Sequence, residues 1–121
     1  MKISKILITV LTCVVLCTGC GSKNNTTISY VEAKEKIINE NAILLDVRTQ
    51  EEYENKHIDG AQLLTLDSIN EQTAGSIIES KEKIVIVYCQ SGNRSSQAVR
   101  TLKELGYENV YDFGSIDNWE E

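Results

Sequence analysis

Proline is absent from this sequence, and histidine, tryptophan and phenylalanine occur once each. It also has no basic stripe, no cationic patch interleaved with aromatics and no internal repeat. These absences exclude several classes of protein. Without a basic surface, nucleic acid is a poor partner, and the body of the chain does not suit adhesion to anionic lipid. The apolar run from Ile6 to Leu16 is shorter than the about 20 residues that a spanning helix needs. Charge is in excess on the other side: −6 over the whole sequence. Once residues 1–19 are removed, ten Lys and Arg face eighteen Asp and Glu, a net charge of −8. Such a domain does not attract anions at long range, so any anion site must be built locally.

What the N-terminus does contain is an address. Lys2 and Lys5 make a positive start, Ile6 to Leu16 an apolar stretch, and Thr18 and Gly19 are small residues before Cys20. This resembles the lipobox of bacterial lipoproteins, although Cys17 stands where that pattern prefers leucine. The resemblance implies a signal peptide over residues 1–19 and a lipidated Cys20 as mature N-terminus. A polar tether then covers residues 20–28, ahead of a domain over residues 29–121. The protein is then expected to be extracytoplasmic and lipid-anchored to a bacterial membrane; the alternative is an uncleaved signal anchor.

Cysteine is correspondingly scarce. Cys13 and Cys17 leave with the signal peptide and Cys20 carries lipid through its sulfur, so Cys89 is the one free thiol of the mature chain. Exported domains commonly use cysteines in disulfide pairs; a single one is either a small buried hydrophobe or a reactive group.

The rest of the chain alternates strands with helices. Ser29 and Glu32 have capping-box spacing before the helical YVEAKEKII, and Thr49 and Glu52 have it before the short acidic helix QEEYEN. Residues 42–47 form a short apolar strand, and a brief strand lies around Gln62 to Leu64. LDSINEQTAGSIIES is expected to be helical, weakened by Thr73 and Gly75. Residues 83–88, KIVIVY, are apolar and β-branched without alternation, as in a parallel strand buried on both faces. A helix follows from about Ser95 to Leu105, stopped by Gly106. NVYDF is the last strand and GSIDNW a closing turn. This order predicts an α/β sandwich with helices on both faces of a parallel sheet.

Ligands of open parallel sheets bind beyond the carboxyl ends of the strands, and Cys89 stands there, leading the loop CQSGNRS. The loop is small and polar enough to curl its N–H groups inward as an anion nest. The following helix adds free N–H groups and the positive end of its dipole, and Gly92 permits positive φ. A cysteine so placed is expected to react as thiolate. Buried structural cysteines rarely sit in a polar loop of this kind. Arg94 either aims at the anion or braces the loop from outside.

CQSGNRS resembles the active-site loop of the rhodaneses, single-domain thiosulfate sulfurtransferases. LLDVRTQEEYENKHIDGA is similar to that family's N-terminal signature through Asp46, Val47, Arg48, Glu52, Tyr53, His57, Ile58, Gly60 and Ala61. YDFGSIDNW is similar to its closing segment through Gly114 and Trp119. The resemblance implies a three-layer α/β/α sandwich around a mainly parallel sheet. It further implies a sulfurtransferase in which Cys89 forms a persulfide and passes the outer sulfur on, with no cofactor and no metal. The backbone from Gln90 through Ser91, Gly92, Asn93, Arg94 and Ser95 would cradle the substrate. A small sulfur-containing anion is the expected donor and a thiol, cyanide-like nucleophile or protein the acceptor. Asp46, Arg48 and His57 are then structural, the first two as an internal ion pair.

Gln90 departs from the basic residue that many thiosulfate-using relatives carry. Asp59 replaces a proline, which would loosen its turn, and Ser115 replaces a glycine; both are read as leaving the chemistry untouched. His57 as a general base, Asp46 and Arg48 as catalytic groups and Trp119 as a stacking platform are the competing readings. Glu51, Glu52 and Glu54 are read as a solvated helix face. Two other functions compete. A cysteine phosphatase or arsenate reductase would carry arginine six residues after the cysteine, whereas Arg94 comes five after Cys89. A partner-dependent persulfide carrier or sensing module would show little turnover alone.

Overall fold

The structure, a computed structural model, describes residues 26–121. The signal peptide, the lipidation of Cys20 and most of the tether lie outside the described residues. Four parallel strands form one sheet: β1 (Ile43–Asp46), β2 (Gln62–Leu63), β3 (Ile84–Cys89) and β4 (Asn109–Ser115), in spatial order β2-β1-β3-β4. Helix α1 (Tyr30–Asn39) precedes β1, and α2 (Gln50–Asn55), α3 (Glu71–Ile77) and α4 (Asn93–Glu104) connect the successive strands.

The alternation of side chains along β3 divides the core in two. Val85, Val87 and Cys89 join Ala74 of α3 and Ala98, Val99 and Leu102 of α4 on one face. Ile86 and Tyr88 join Ala33 of α1 with Ile58, Ala61 and Phe113 on the other. A strand covered on both sides has no solvent face to make polar, which is why KIVIVY shows no alternation. Each fully buried aliphatic side chain there contributes about 1.5–3 kcal/mol. The sheet with its two coverings is the expected sandwich.

Local signals decide most of the helix ends. The Ser29 hydroxyl accepts from the Glu32 N–H, and Thr49 and Glu52 form a reciprocal capping box. Two segments differ from expectation. LDSINEQTAGSIIES is not one helix but a 3₁₀ turn over Leu66–Ser68 followed by α3. Asn70 caps α3 through the N–H groups of Gln72 and Thr73, and the Thr73 hydroxyl accepts from the Asn70 N–H. Thr73 thus starts the helix rather than weakening it. In the segment expected to be tether, Thr27 pairs in parallel with Asp112 of β4 and Ile28 is buried. Exposed backbone on the β4 edge offers hydrogen bonds that a polar composition does not disclose.

Beneath the carboxyl ends of β1 and β3 lies a buried polar knot. The Asp46 carboxylate, fully buried, accepts from the Arg48 backbone N–H, from the Arg48 guanidinium at 2.7–3.1 Å and from the Tyr88 hydroxyl at 2.7 Å. The Tyr88 oxygen in turn accepts from the Ile58 N–H at 3.1 Å. Burial, and then the neighbouring carboxylate, push the Tyr88 phenol above its ordinary value, so it remains a donor. Tyr88→Phe strands a buried N–H and removes one donor from Asp46. It is expected to lower stability by about 1–3 kcal/mol. Denaturant unfolding of the two proteins checks this, and an unchanged midpoint would refute it.

Candidate active site

The loop that follows β3 is shaped by its glycine. Gly92 has φ of 95°, a left-handed conformation that a residue with a side chain rarely adopts. In that conformation it serves as N-cap of α4 and points its N–H at Cys89 Sγ, 2.9 Å away. The helix therefore starts two residues before the expected Ser95. Asn93, Arg94 and Ser95 are its first turn, and their backbone contributes the helix's positive end to the loop. Ser95 is fully buried and donates its hydroxyl to the Gly92 carbonyl at 3.0 Å. The sulfur is itself covered, with no solvent exposure, and it forms no disulfide. Gln90 and Ser91, next to it, are exposed.

Both guanidiniums near the loop are held from outside. Arg94 makes a two-pronged ion pair with Glu52 of α2, at 2.6 and 2.9 Å. The bond to Glu52 raises the Arg94 pKa. Of the two roles open to Arg94, the geometry shows the bracing one. Glu52 is correspondingly not a solvated face residue: Arg94 and its cap to Thr49 hold its carboxyl down to about 2. Helix-face patterning missed it because its partner lies 42 positions away. Arg48 is bound to Asp46 and to the Lys56 carbonyl and reaches the Gln90 side-chain oxygen at 3.3 Å. Burial opposes the Arg48 charge, but the bonds to Asp46 outweigh it and raise its pKa.

Beside Gln90 opens a cleft of about 400 Å³ lined by Arg48, Glu52, Asn55, Lys56, Gln90, Ile116, Asp117 and Trp119. Its charged side chains are two of each sign. Trp119 packs edge-on against Tyr30 and Phe113, so its ring serves both the core and the cleft wall. Against this arrangement, a scan of family models matches the rhodanese-like domain over residues 29–121.

The chain belongs to the rhodanese-like family.

It is 34% identical over 93 residues to the thiosulfate sulfurtransferase GlpE of Coxiella burnetii, covering 76% of this chain and 84% of that one. A solved structure described as a rhodanese with anions from E. coli is 31% identical with a TM-score of 0.60, covering 64% of this chain and 89% of that one. Human single-domain sulfurtransferase TSTD1 shares the fold, with a TM-score of 0.66 at 24% identity over 78% of this chain and 94% of that one.

Within this rhodanese-like frame, Cys89, Gln90, Ser91, Gly92, Asn93, Arg94 and Ser95 fall together in one turn, as their sequence adjacency requires. Asp46 and Arg48 lie beneath that turn and reach it through Gln90. His57 does not join the sulfur. It is exposed, its ring stacks on Tyr53 at 3.8 Å, and its Nδ1 bonds the Tyr53 carbonyl at 2.7 Å. The turn at Asp59 closes without proline, by an Ala61 N–H to Ile58 carbonyl bond of 2.9 Å with Gly60 at φ of 85°. Ser115, in place of the glycine, contacts the loop directly: its hydroxyl donates to the Gln90 carbonyl at 2.6 Å. Only the strand register brings these two together, so no local motif announced it.

The Glu52–Arg94 pair carries a pH signature. Glu52 ionises lower in the fold than its ordinary 4.5, so its contribution is complete above that value and is lost as pH falls toward about 2. The stability difference between the native chain and Glu52→Gln is expected to be constant from neutrality to about pH 5 and to shrink below it. Urea unfolding across that range checks this; a difference that grows with acidity would contradict it.

Proposed function

We propose that this rhodanese-type enzyme moves a sulfane sulfur from an anionic donor to a nucleophilic acceptor through a persulfide on Cys89. The observation that carries the reading is the Gly92 N–H on Cys89 Sγ at the N-terminus of α4. It supports a sulfur held where negative charge is stabilised by fixed backbone dipoles. The name of the GlpE relative and the anions of the E. coli rhodanese support it as well.

With thiosulfate as donor, the ionised Cys89 sulfur attacks the outer sulfur of the donor. The bond between the two donor sulfurs breaks and its electron pair leaves with sulfite. The new S–S bond is the persulfide, whose terminal sulfur carries the negative charge. An acceptor such as cyanide then attacks that terminal sulfur. The S–S bond breaks toward Cys89, which regains its charge, and thiocyanate departs. The first-turn amides of α4 and the loop amides stabilise both anions.

The charges around the site bear on the donor. Gln90 is neutral, and Arg48 and Arg94 are each held by a carboxylate. The cleft thus favours a donor of low charge density, such as a polysulfide or an organic persulfide, over thiosulfate. With cyanide as acceptor, the native chain is expected to produce thiocyanate from both donors, with the lower KM for polysulfide. Cys89→Ser should reduce turnover to background while leaving the unfolding midpoint in place. Turnover retained by Cys89→Ser would rule out the mechanism.

Export and lipid anchoring through Cys20 form part of the same proposal and rest on residues 1–20 alone. Cys20→Ala is expected to abolish incorporation of labelled fatty acid when the chain is produced in a bacterial host. Equal labelling of both chains would exclude Cys20 as the attachment point.

A further inference from the structure

The end of β4 is built irregularly, and the irregularity places one hydroxyl against the active loop. Pairing between β3 and β4 runs in step from Ile84 with Asn109 to Val87 with Asp112. It then skips Phe113, so that Tyr88 pairs with Gly114 and Cys89 with Ser115. Gly114 takes φ of 84° at this bulge, and its N–H is fixed by the Asp112 carboxylate at 2.9 Å. A bulge of this kind re-aims the residues after it. Without it, Cys89 would stand opposite Gly114, which has no side chain.

Ser115 uses its hydroxyl twice. The proton goes to the Gln90 carbonyl at 2.6 Å. The oxygen accepts the Asp117 N–H at 3.1 Å, capping the 3₁₀ turn Ile116–Asn118 that carries part of the cleft wall. The Gln90–Ser91 peptide is planar and trans, so its N–H points opposite to its carbonyl. Holding that carbonyl against β4 turns the Ser91 N–H away from β4 and fixes one amide of the loop around Cys89. We propose that Ser115 is a positioning residue for sulfur transfer: it sets the first peptide of the loop and couples it to the wall of the cleft. It acts through Gln90 and Ser91 and does not touch the sulfur. This rests on the sulfur-transfer reading of Cys89 and deepens it.

The test separates the two. Amide nitrogen relaxation of Ser91 and the single-turnover rate of persulfide formation are measured in the purified native chain, Ser115→Ala and Ser115→Thr. Losing one neutral hydrogen bond corresponds to about three- to tenfold in rate. Ser115→Ala is expected to load sulfur slower by about that factor, with an increased mobility of the Ser91 amide and an unchanged fold by circular dichroism. Ser115→Thr, which keeps the hydroxyl, should recover most of the rate. Ser115→Gly removes the same hydroxyl without added bulk and replaces Ser115→Ala if that variant fails to fold. Equal loading rates in the native chain and the hydroxyl-free variant would overturn the proposal, as would a Ser115→Thr chain as slow as Ser115→Ala. A native chain that takes up no sulfur would overturn the transfer reading itself. The relaxation data would then decide separately whether Ser115 fixes the loop.

Discussion

One fully buried carboxylate organises this domain. Asp46 ends β1 with two bonds to the Arg48 guanidinium through Nε, a third through Nη2, one to the Arg48 backbone and one to the Tyr88 hydroxyl. A buried charge left without partners costs several kcal/mol, and here each partner reaches on to another part of the site. Arg48 holds the Lys56 carbonyl and touches Gln90; Tyr88 holds the Ile58 N–H. The ends of two strands, the turn from Lys56 to Ala61 and the first residue of the active loop are therefore set by one group of bonds. Removing the Tyr88 hydroxyl strands the buried Ile58 N–H, and removing the Arg48 guanidinium leaves the Asp46 charge without its counter-ion, whereas the intact set leaves no buried side-chain nitrogen or oxygen unpaired among the described residues.

On that platform the loop is gripped from three sides. Arg48 meets the Gln90 side chain from below, Arg94 is tied to α2 through Glu52, and Ser115 takes the Gln90 carbonyl from β4. The two guanidiniums near the loop are thus each paired with a carboxylate. In the proposed reaction, attraction for an anionic donor would fall to peptide dipoles at the start of α4, which act at short range and need no mobile side chain. An overall negative chain is consistent with that arrangement, because a dipole cradle works against a repulsive far field.

The parts legible in sequence are those fixed by neighbours in the chain. The apolar run of β3, the capping spacing of Thr49 and Glu52, and the Cys-Gly-Arg order of the loop each carry their own signal, and each matches an element of the structure. What was missed depends on distance. The start of α4 was placed at about Ser95, but Gly92 takes the N-cap position by adopting a left-handed conformation that points its N–H at Cys89. Glu52 read as solvated because its partner comes from another helix. Ser115 read as neutral because its contact exists only after β4 skips one residue beside β3. Residues 26–28 read as tether because the strand edge that orders them is remote in sequence.

The most direct test of the account is the intact mass of the purified chain after incubation with thiosulfate and, separately, with polysulfide. The account predicts one added sulfur atom, located at Cys89 by peptide mapping and removed on addition of cyanide. A folded chain that gains no sulfur from either donor, or gains it equally when Cys89 is replaced by serine, would contradict the claim that this loop carries sulfur.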